Sequence, residues 1–256
     1  MSGYIPHTPG DVAAMLEAIG VGSVDDLFAH VPATLRATGA VRLPVGVKES
    51  ELSPRFAAIA GRNRNGNDLP AFLGAGAYPH AVPAVVDQIL LRSEFATAYT
   101  PYQPEVSQGT LQAIFEFQTF VAMLFGLDVA NASVYDGASA TAEAVLMARR
   151  LRPSRRTVCL ARSLHPHYRV TVATYLRSVE GVDIREVPFA SDGTLDLNAL
   201  RSLLSDDAAC LVAGYPNVFG VIEDVEELAS VVHGAGALLI SATTEPVALG
   251  SVRSPG

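Results

Sequence analysis

Cysteine, lysine and tryptophan are the residues that this 256-residue chain has least of: two cysteines, one lysine and no tryptophan. Cys159 and Cys210 lie inside the short apolar stretches TVCLA and AACLVA, which predicts buried free thiols in a reducing compartment. Two cysteines are too few for a metal site, and no cysteine and histidine residues recur at metal-ligand spacing. We therefore expect no bound metal. The single lysine is Lys48, so arginine supplies the rest of the 18 basic residues.

Long hydrophobic runs and excess positive charge are also missing. No apolar run approaches the roughly 18 residues that span a bilayer, and the start MSGYIPHTPG lacks the basic and apolar regions of a signal peptide. A net charge of -8 disfavours nucleic acids and anionic membrane surfaces as partners. Hydrophobic residues make up 49% of the chain and charged residues 17%, which is typical of a folded protein. The sequence thus predicts a cytoplasmic protein with no nucleic-acid or membrane partner.

Residues 1–60 are predicted to form an N-terminal helical arm. Thr8-Pro9 has the residue types that begin a helix, and Gly20 has the type that ends one. A short helix is predicted between Ser23 and Pro32, and Ser53-Pro54 predicts the start of another.

Residues 61–256 are predicted to form one large α/β domain. Turn-rich stretches and a helix at 81–91 lead to a long helix from Thr110 to Phe125, which ends at Gly126. Short apolar stretches then alternate with helical ones; the predicted strands are NASVY, TVCLA, DIREVPF, ACLVAGY and ALLISAT. Such alternation gives parallel strands joined by right-handed crossovers, and wholly apolar strands are covered on both faces. We expect about five strands in a mostly parallel sheet, in a domain truncated at its C-terminus because the chain stops soon afterwards.

Small residues follow the first predicted strand, in the segment YDGASAT. Small side chains at a helix start let a phosphate approach free backbone N–H groups, and Ser139 and Thr141 would add hydroxyl donors. An ordinary strand-to-helix turn with Asp136 as N-terminal cap explains the same residues. The segment is not GxGxxG and lacks the P-loop lysine, so both interpretations stay open.

Two further polar segments, SLHPH and YPN, come directly after predicted strands. Ligands of open α/β sheets bind at the carboxyl ends of the strands, where His165 would stack on an aromatic ring and Asn217 would hydrogen-bond a ring substituent. The alternatives are structural: a histidine that caps the next helix, and a strand-end turn in which Asp224 is the cap. Spacing alone does not decide between them.

The segment YTPYQPEVSQG, residues 99–109, is stiffened by two prolines and displays two tyrosines, a carboxylate and two amides. Rigid polar and aromatic loops are typical of functional surfaces. The alternative is a linker in which Ser107 caps the long helix. We favour a functional segment.

Together these residues resemble the glycine decarboxylase P-protein family of the glycine cleavage system. TPYQPE…SQG followed by YDGASATAEA is the most specific match, and the resemblance runs from about residue 4 to residue 246 in the family's order. The other matching stretches are YIPHTPGDVAAML, FLGAGAYPHAVP, SLHPHYRVTVATYL, YPNVFGVIED and ISATTEP. The resemblance implies the fold type I architecture of pyridoxal-phosphate (PLP) dependent transferases. It also implies the role of subunit 1, which pairs with subunit 2 in a two plus two heterotetramer.

For chemistry, the resemblance implies PLP-dependent decarboxylation of glycine, with release of CO₂ and transfer of the aminomethyl group to the lipoyl arm of the H-protein. This is the aminomethyl-transferring glycine dehydrogenase reaction, an oxidation at CH–NH₂ with a disulfide acceptor. A Schiff base needs a lysine amine, but Lys48 lies far upstream of the predicted sheet. Thr243 and Thr244 stand where PLP-holding relatives carry an aspartate for the pyridinium nitrogen. The resemblance therefore implies that subunit 2 carries the Schiff-base lysine and holds most of the PLP.

The resemblance also implies two sets of site residues. Residues that line the glycine pocket or lipoyl channel at the subunit interface are Tyr99, Tyr102, Glu105 and Gln108. A vestigial cofactor pocket on this chain comprises Tyr135, Gly137, Ala138, Ser139, His165, Asn217 and Thr243.

Other functions remain open at this point. The chain would act as a non-catalytic scaffold if it only stabilised subunit 2, although a scaffold does not require the rigid polar segment. A self-sufficient PLP enzyme would have to use Lys48. A nucleotide-binding domain is disfavoured by the missing GxGxxG and P-loop lysine.

Overall fold

The computed structural model describes residues 6–36, 43–64, 66, 69–96 and 99–256. The chain forms two compact units, Met1–Arg64 and Asn65–Gly256. Parts of the sequence-based predictions, at residues 1–5 and 37–42 of the predicted arm and at residues 65, 67–68 and 97–98, lie outside the described residues.

The first unit begins with helix α1, Pro9–Ile19. The Thr8 hydroxyl accepts from the Asp11 backbone N–H at 3.2 Å, and the Asp11 carboxylate accepts from the Thr8 N–H at 2.7 Å. This reciprocal cap satisfies two N–H groups that the helix leaves free. Gly20 ends the helix with a φ of 82°, as its residue type predicts. Short 3₁₀ turns follow at Asp25–Phe28 and Ala33–Leu35.

Helix α2, Glu49–Ala60, corrects one prediction. Ser53-Pro54 was expected to start this helix, but the helix begins at Glu49 and Pro54 lies inside it. Proline removes one intrahelical hydrogen bond without ending the helix, and two glutamates in the first turn favour the earlier start through the helix dipole. Lys48 is the N-terminal cap residue and makes no side-chain cap hydrogen bond.

The second unit opens with helices α3, Ala84–Leu90, α4, Ser93–Ala96, and α5, Gln108–Phe125. Helix α3 begins three residues later than predicted because Pro83 disfavours helical backbone in the residue before it. Helix α5 starts two residues earlier than predicted and ends, as predicted, at Gly126, whose φ is 67°. None of these three helices contains a buried residue.

The α/β part consists of four parallel strands within the described residues: β1 Thr157–Ala161, β2 Asp183–Val187, β3 Ala208–Gly214 and β4 Leu238–Ala242. Their order is β2-β1-β3-β4. The accompanying helices are α6 Gly137–Leu151, α7 Pro166–Leu176, α8 Leu197–Leu203 and α9 Val225–Gly234. Every residue of β1 and β3 is buried, so both faces of the sheet centre are covered.

The predicted strand NASVY is wrong. Residues 131–135 form no strand, Ser133 has a φ of 139°, and Tyr135 is fully exposed. A strand at the centre of this sheet would be buried on both faces, whereas this segment lies at the surface before α6. The sheet therefore has four of the five expected strands.

The two cysteines are buried free thiols, as predicted. Burial raises the pKa of Cys159 to about 11 and that of Cys210 to about 12. Cys159 pairs in register with Leu211, and Cys210 with Val158. Both thiols therefore belong to the apolar core and are unreactive at neutral pH.

Arginine side chains form hydrogen bonds at the end of the sheet where the strands begin. The Arg155 guanidinium donates at 2.8 Å to the carbonyl oxygens of both Ala208 and Ala235, and Arg152 donates to Gly236 O at 3.3 Å. A planar guanidinium presents several donors in fixed directions, which a lysine amine does not. The basic run RRLRPSRR at 149–156 thus includes side chains that tie β3 to the turn before β4.

Candidate functional site

The carboxyl ends of the parallel strands share one edge of the sheet. SLHPH follows β1, YPN follows β3 and ATTEP follows β4 at this edge. Helix α6 runs back along the sheet before β1, so its first turn starts at the same edge. The structure therefore brings together the elements that carry the predicted cofactor pocket.

The start of α6 is occupied by side chains of the chain itself. The Asp136 carboxylate accepts from the Ser139 backbone N–H at 2.8 Å and from the Ser139 hydroxyl at 2.9 Å. These hydrogen bonds hold the pKa of the Asp136 carboxyl below its ordinary value. Thr141 donates to Gly137 O at 2.8 Å, so its hydroxyl serves the helix backbone. The N-terminal cap interpretation describes this turn, and a phosphate there would face a carboxylate.

The Tyr168 hydroxyl fills the space beside Gly137. A Cβ added to Gly137 would lie 2.1 Å from this hydroxyl oxygen, too close for any side chain. Burial raises the pKa of Tyr168, and the negative charge of Asp136 raises it further. Gly137 therefore allows a close approach of α7 to the start of α6. The sequence signal, a glycine at a helix start, was interpreted as room for a ligand.

His165 caps α7. Its Nδ1 accepts from the His167 backbone N–H at 3.2 Å, and its ring centroid lies 5.4 Å from that of Tyr168. The ring is half-buried. The structural alternative, a histidine that caps the helix, describes its contacts here.

Asn217 is buried and its amide is fully used. It donates to Gly193 O at 2.9 Å and to Glu223 Oε1 at 2.8 Å, and it accepts from the backbone N–H groups of Phe219 and Val221. An asparagine amide has two donor hydrogens and two acceptor lone pairs. No position is left for a ring substituent, so Asn217 holds loops together.

Glu223 is a buried carboxylate that the sequence reasoning missed. Besides Asn217, it binds the Leu195 backbone N–H at 3.0 Å and the Ser163 hydroxyl at 3.4 Å. It thereby joins the loop after β1, the loop before α8 and the loop after β3. In the sequence only its neighbour Asp224 was assigned a role, as the cap of α9, and the structure confirms that cap.

The end of β4 lies against the loop that contains the sequence GAGAYPH. Gly76 has a φ of 85°, and a Cβ there would lie 3.2 Å from Thr244 Cβ. His80 Nε2 lies 3.0 Å from Glu245 Oε2. The buried Thr243 hydroxyl has no hydrogen-bond partner among the described residues. The chain's own loop thus covers the end of this strand.

This edge does not fit PLP. The second unit contains no lysine, since Lys48 belongs to the first. The threonines after β4 offer no carboxylate for a pyridinium nitrogen. Asp136 lies where a phosphate was expected, and its carboxylate already binds Ser139. Asn217 was expected to bind a ring substituent, and its amide already binds Glu223.

The predicted interface residues lie in a different place, on the surface before and at the start of α5. Tyr99 is fully exposed, and Tyr102 is 89% exposed. The backbone N–H groups of Val106 and Ser107 both donate to Gln103 O, at 3.2 and 3.0 Å, which forms a tight turn. Ser107 is the N-terminal cap residue of α5, as the linker alternative expected, but its side chain makes no cap hydrogen bond.

Glu105 and Gln108 share one shallow depression of about 390 Å³, whose other lining residues are Pro104, Leu111, Gln112 and Phe115. The structure brings these two predicted residues together, and neither Tyr99 nor Tyr102 lines this depression. Tyr135, predicted for the cofactor pocket, is fully exposed. It therefore contributes no wall to a pocket in this chain.

The described residues contain neither a metal-binding cluster nor a membrane-spanning helix. Among them, no three histidine, cysteine, aspartate or glutamate side chains gather at a distance that suits a metal ion. Within the same residues, no helix is both long and apolar enough to cross a membrane.

Known proteins resemble this chain over nearly all of its length. Residues 2–256 match the family described as glycine cleavage system P-protein. A "probable glycine dehydrogenase (decarboxylating) subunit 1" from Anaeromyxobacter dehalogenans (strain 2CP-C) is 53% identical over 99% of this chain. One from Sorangium cellulosum (strain So ce56) is 50% identical over 99%. The chain spans 56% of the length of each of these relatives.

Solved structures agree. The crystal structure of glycine decarboxylase (P-protein) of the glycine cleavage system, in inhibitor-bound form, is 40% identical and has a TM-score of 0.85. It matches 99% of this chain, which covers 55% of that chain. The crystal structure of mouse CSAD is 14% identical and has a TM-score of 0.62. It matches 89% of this chain, and the match covers 50% of the CSAD chain, so it shows the fold alone. The predicted fold type I architecture is confirmed. The chain belongs to the glycine cleavage system P-protein family.

Proposed function

We propose that this chain acts as subunit 1 of the glycine cleavage P-protein. Together with subunit 2 it catalyses PLP-dependent decarboxylation of glycine, releases CO₂ and transfers the aminomethyl group to the lipoyl arm of the H-protein. The family and the names of the relatives support this proposal. We further propose that the assembly is a two plus two heterotetramer, that it works in the cytoplasm, and that residues 1–60 serve as an arm of the large domain.

The contrast between the two predicted sites carries the proposal. At the strand ends, the groups that would hold a cofactor are bound to other groups of the chain. The polar and aromatic groups of residues 99–108 are instead turned to solvent. A chain of this family that cannot hold the cofactor, but displays such a surface, contributes to a site completed by another chain. PLP supplies the electron sink for decarboxylation, and its lysine belongs to subunit 2.

The displayed residues supply binding and orientation. Tyrosine has an apolar ring and a polar hydroxyl, and it loses little conformational entropy when it becomes fixed at an interface. The turn at Gln103 sets the direction in which Tyr102 and Glu105 point. Glu105 and Gln108 face one depression, where a carboxylate and an amide can orient a polar group and hold a proton. We propose that these residues line the glycine pocket or the lipoyl channel.

Release of CO₂ from carboxyl-labelled glycine tests the proposal, with subunit 2 and lipoylated H-protein present. We expect release only when this chain and subunit 2 are both added, and we expect Tyr102→Phe and Glu105→Gln each to lower kcat about tenfold or more. Lys48→Ala is the control and keeps full activity.

The experiment also separates the alternatives. A non-catalytic scaffold predicts that Tyr102→Phe and Glu105→Gln leave turnover unchanged, while omission of the chain makes subunit 2 insoluble. Loss of activity in Lys48→Ala would make this chain a PLP enzyme in its own right.

A further inference from the structure

Helix α5 exposes an apolar face along its whole length. The helix has 18 residues, which corresponds to about 27 Å. Met123, Phe115 and Phe120 are 73%, 67% and 65% exposed, and Phe117 and Leu124 are also exposed. We call these five residues the outer face of α5. An exposed apolar surface of this size marks a contact with another molecule.

The chain beyond α5 contacts the other side of the helix. Gln118 donates to Ala130 O at 2.6 Å, so the segment after Gly126 turns back along the helix. Leu127 and Val129 on this segment are exposed. Gln118 follows Glu116 by two residues and therefore points to roughly the opposite side of the helix, so the segment 127–131 leaves the outer face uncovered.

The stretch of sequence that includes this face carries no positive charge, and Arg253, which shares a cavity with Phe125 and Leu127 at the end of the helix, lies 3.6 Å from Glu226. Between Arg92 and Arg149 the sequence contains no lysine, arginine or histidine, but it contains six acidic residues. Glu94 pairs with Arg92 at 2.7 Å, and Asp136 caps α6. The other exposed acids, which have no ion pair among the described residues, are Glu105, Glu116, Asp128 and Glu143, the last of these on α6.

Glu116 lies within the outer face itself. It precedes Phe120 by four residues and Met123 by seven, so the three side chains share one side of the helix. Its carboxylate accepts from the Gln112 amide at 2.6 Å, and this is a neutral partner. A molecule that covers the apolar side chains also removes water from Glu116. A carboxylate that loses water needs a cation opposite it, because an unpaired buried charge is strongly unfavourable.

This charge distribution decides between possible occupants. A second copy of the face would place acids opposite acids with no cation on either side, which disfavours self-association. Nucleic acids and anionic membranes are repelled for the same reason. A protein with lysine or arginine around an apolar patch satisfies both the phenylalanines and the carboxylates.

We propose that the outer face of α5 docks a protein partner that presents an apolar patch with a basic rim, including a lysine or arginine opposite Glu116. This inference rests on the proposed function, because the partner is subunit 2. It goes further by assigning the positive charge of this contact entirely to the partner.

Titration calorimetry of this chain with subunit 2 tests the inference. We expect Glu116→Gln to raise the dissociation constant about tenfold and Glu116→Lys to raise it about a hundredfold. The affinity of the unchanged chain should fall with added salt, and Glu116→Gln should show a weaker salt dependence. Glu180→Lys makes the same charge change at an exposed position on the α/β part and leaves the affinity unchanged. Circular dichroism verifies that each variant is folded.

Equal affinities for Glu116→Lys and Glu180→Lys would overturn the inference. A dimer of the chain alone, detected by light scattering and abolished by Phe120→Asp, would assign the face to a second copy instead. Peroxide oxidation of Met123 supplies an independent readout. We expect slower oxidation only after subunit 2 is added. Slow oxidation in a lone chain extended to the length of its relatives would show that the chain covers its own face.

Decarboxylation is measured on the same samples. A complex that forms with the expected charge dependence but releases no CO₂ refutes the proposed function and supports the docking surface. A complex that releases CO₂, but whose affinity does not change when Glu116 is substituted, supports the proposed function and refutes the docking surface.

Discussion

Two regions of the second unit use similar residue types in opposite ways. At the carboxyl ends of the strands, Asp136, Asn217 and Glu223 are bound to other groups of the chain. Around α5, Tyr102 and Glu116 are exposed. Polar residues at a sheet edge are therefore not evidence for a ligand until their partners are counted. In this chain the strand ends serve stability, and the α5 region is free to serve contact with another molecule.

The largest expected effect concerns the buried carboxylate of the strand-end edge. Glu223→Ala leaves the Asn217 amide and the Leu195 N–H without an acceptor, which should lower the free energy of unfolding by about 3 kcal/mol. Urea denaturation measures this change. Glu226→Ala is the control, because this side chain is exposed and its pair with Arg253 is long at 3.6 Å. Equal losses in both variants would show that Glu223 does not join the loops.

A smaller effect should mark the filled space at the start of α6. Gly137→Ala forces its Cβ against the Tyr168 hydroxyl, at a cost of about 2 kcal/mol. Tyr168→Phe removes the clashing oxygen, so the double variant should recover part of this loss. Thermal unfolding of the two single variants and the double variant completes the cycle. Simple additivity would mean that the two residues do not touch.

Stability at low pH should depend on the Asp136 cap. The pKa of this carboxyl is lower in the folded chain than its ordinary value of 3.8. Its contribution is therefore present above that value and is lost as the pH falls through the folded pKa. Asp136→Asn should reduce the loss of stability below about pH 4. Unfolding curves at pH 7 and pH 3 measure it, and an unchanged pH dependence would contradict the cap.

The smallest effect on stability is expected on the α5 side. Tyr102→Ala removes a side chain that is 89% exposed, so the midpoint of urea denaturation of the chain alone should stay the same. The same variant should lower the affinity for subunit 2. A marked loss of stability without any loss of affinity would remove the distinction between the two regions.

The sequence predicts the strands β1 and β3 correctly because their runs are apolar and buried throughout. The edge strand β2, DIREV, is also predicted, although it mixes charged and apolar residues. The sequence-based prediction fails at NASVY because only Val134 and Tyr135 favour a strand there, and the composition does not reveal the positive φ of Ser133. It places His165 and Asn217 at the carboxyl edge of the sheet, since each follows a strand, whereas Asp136 reaches that edge at the start of α6 and not at the end of a strand. It cannot tell what they bind, because the partners of Asn217 come from loops that are distant in sequence, at Gly193 and Glu223.

The position of Lys48 has a practical consequence. Apart from the α-amino group, this chain offers amine-directed reagents a single side chain, and that side chain begins α2 in the first unit. Besides the α-amino group, a fluorophore or crosslinker that reacts with amines therefore labels one defined side chain, without cysteine engineering. Any modified lysine peptide recovered from a mixed assembly that does not contain residue 48 identifies the other protein. Because the chain has a single lysine, a label on that lysine reports the position of this chain in its complexes.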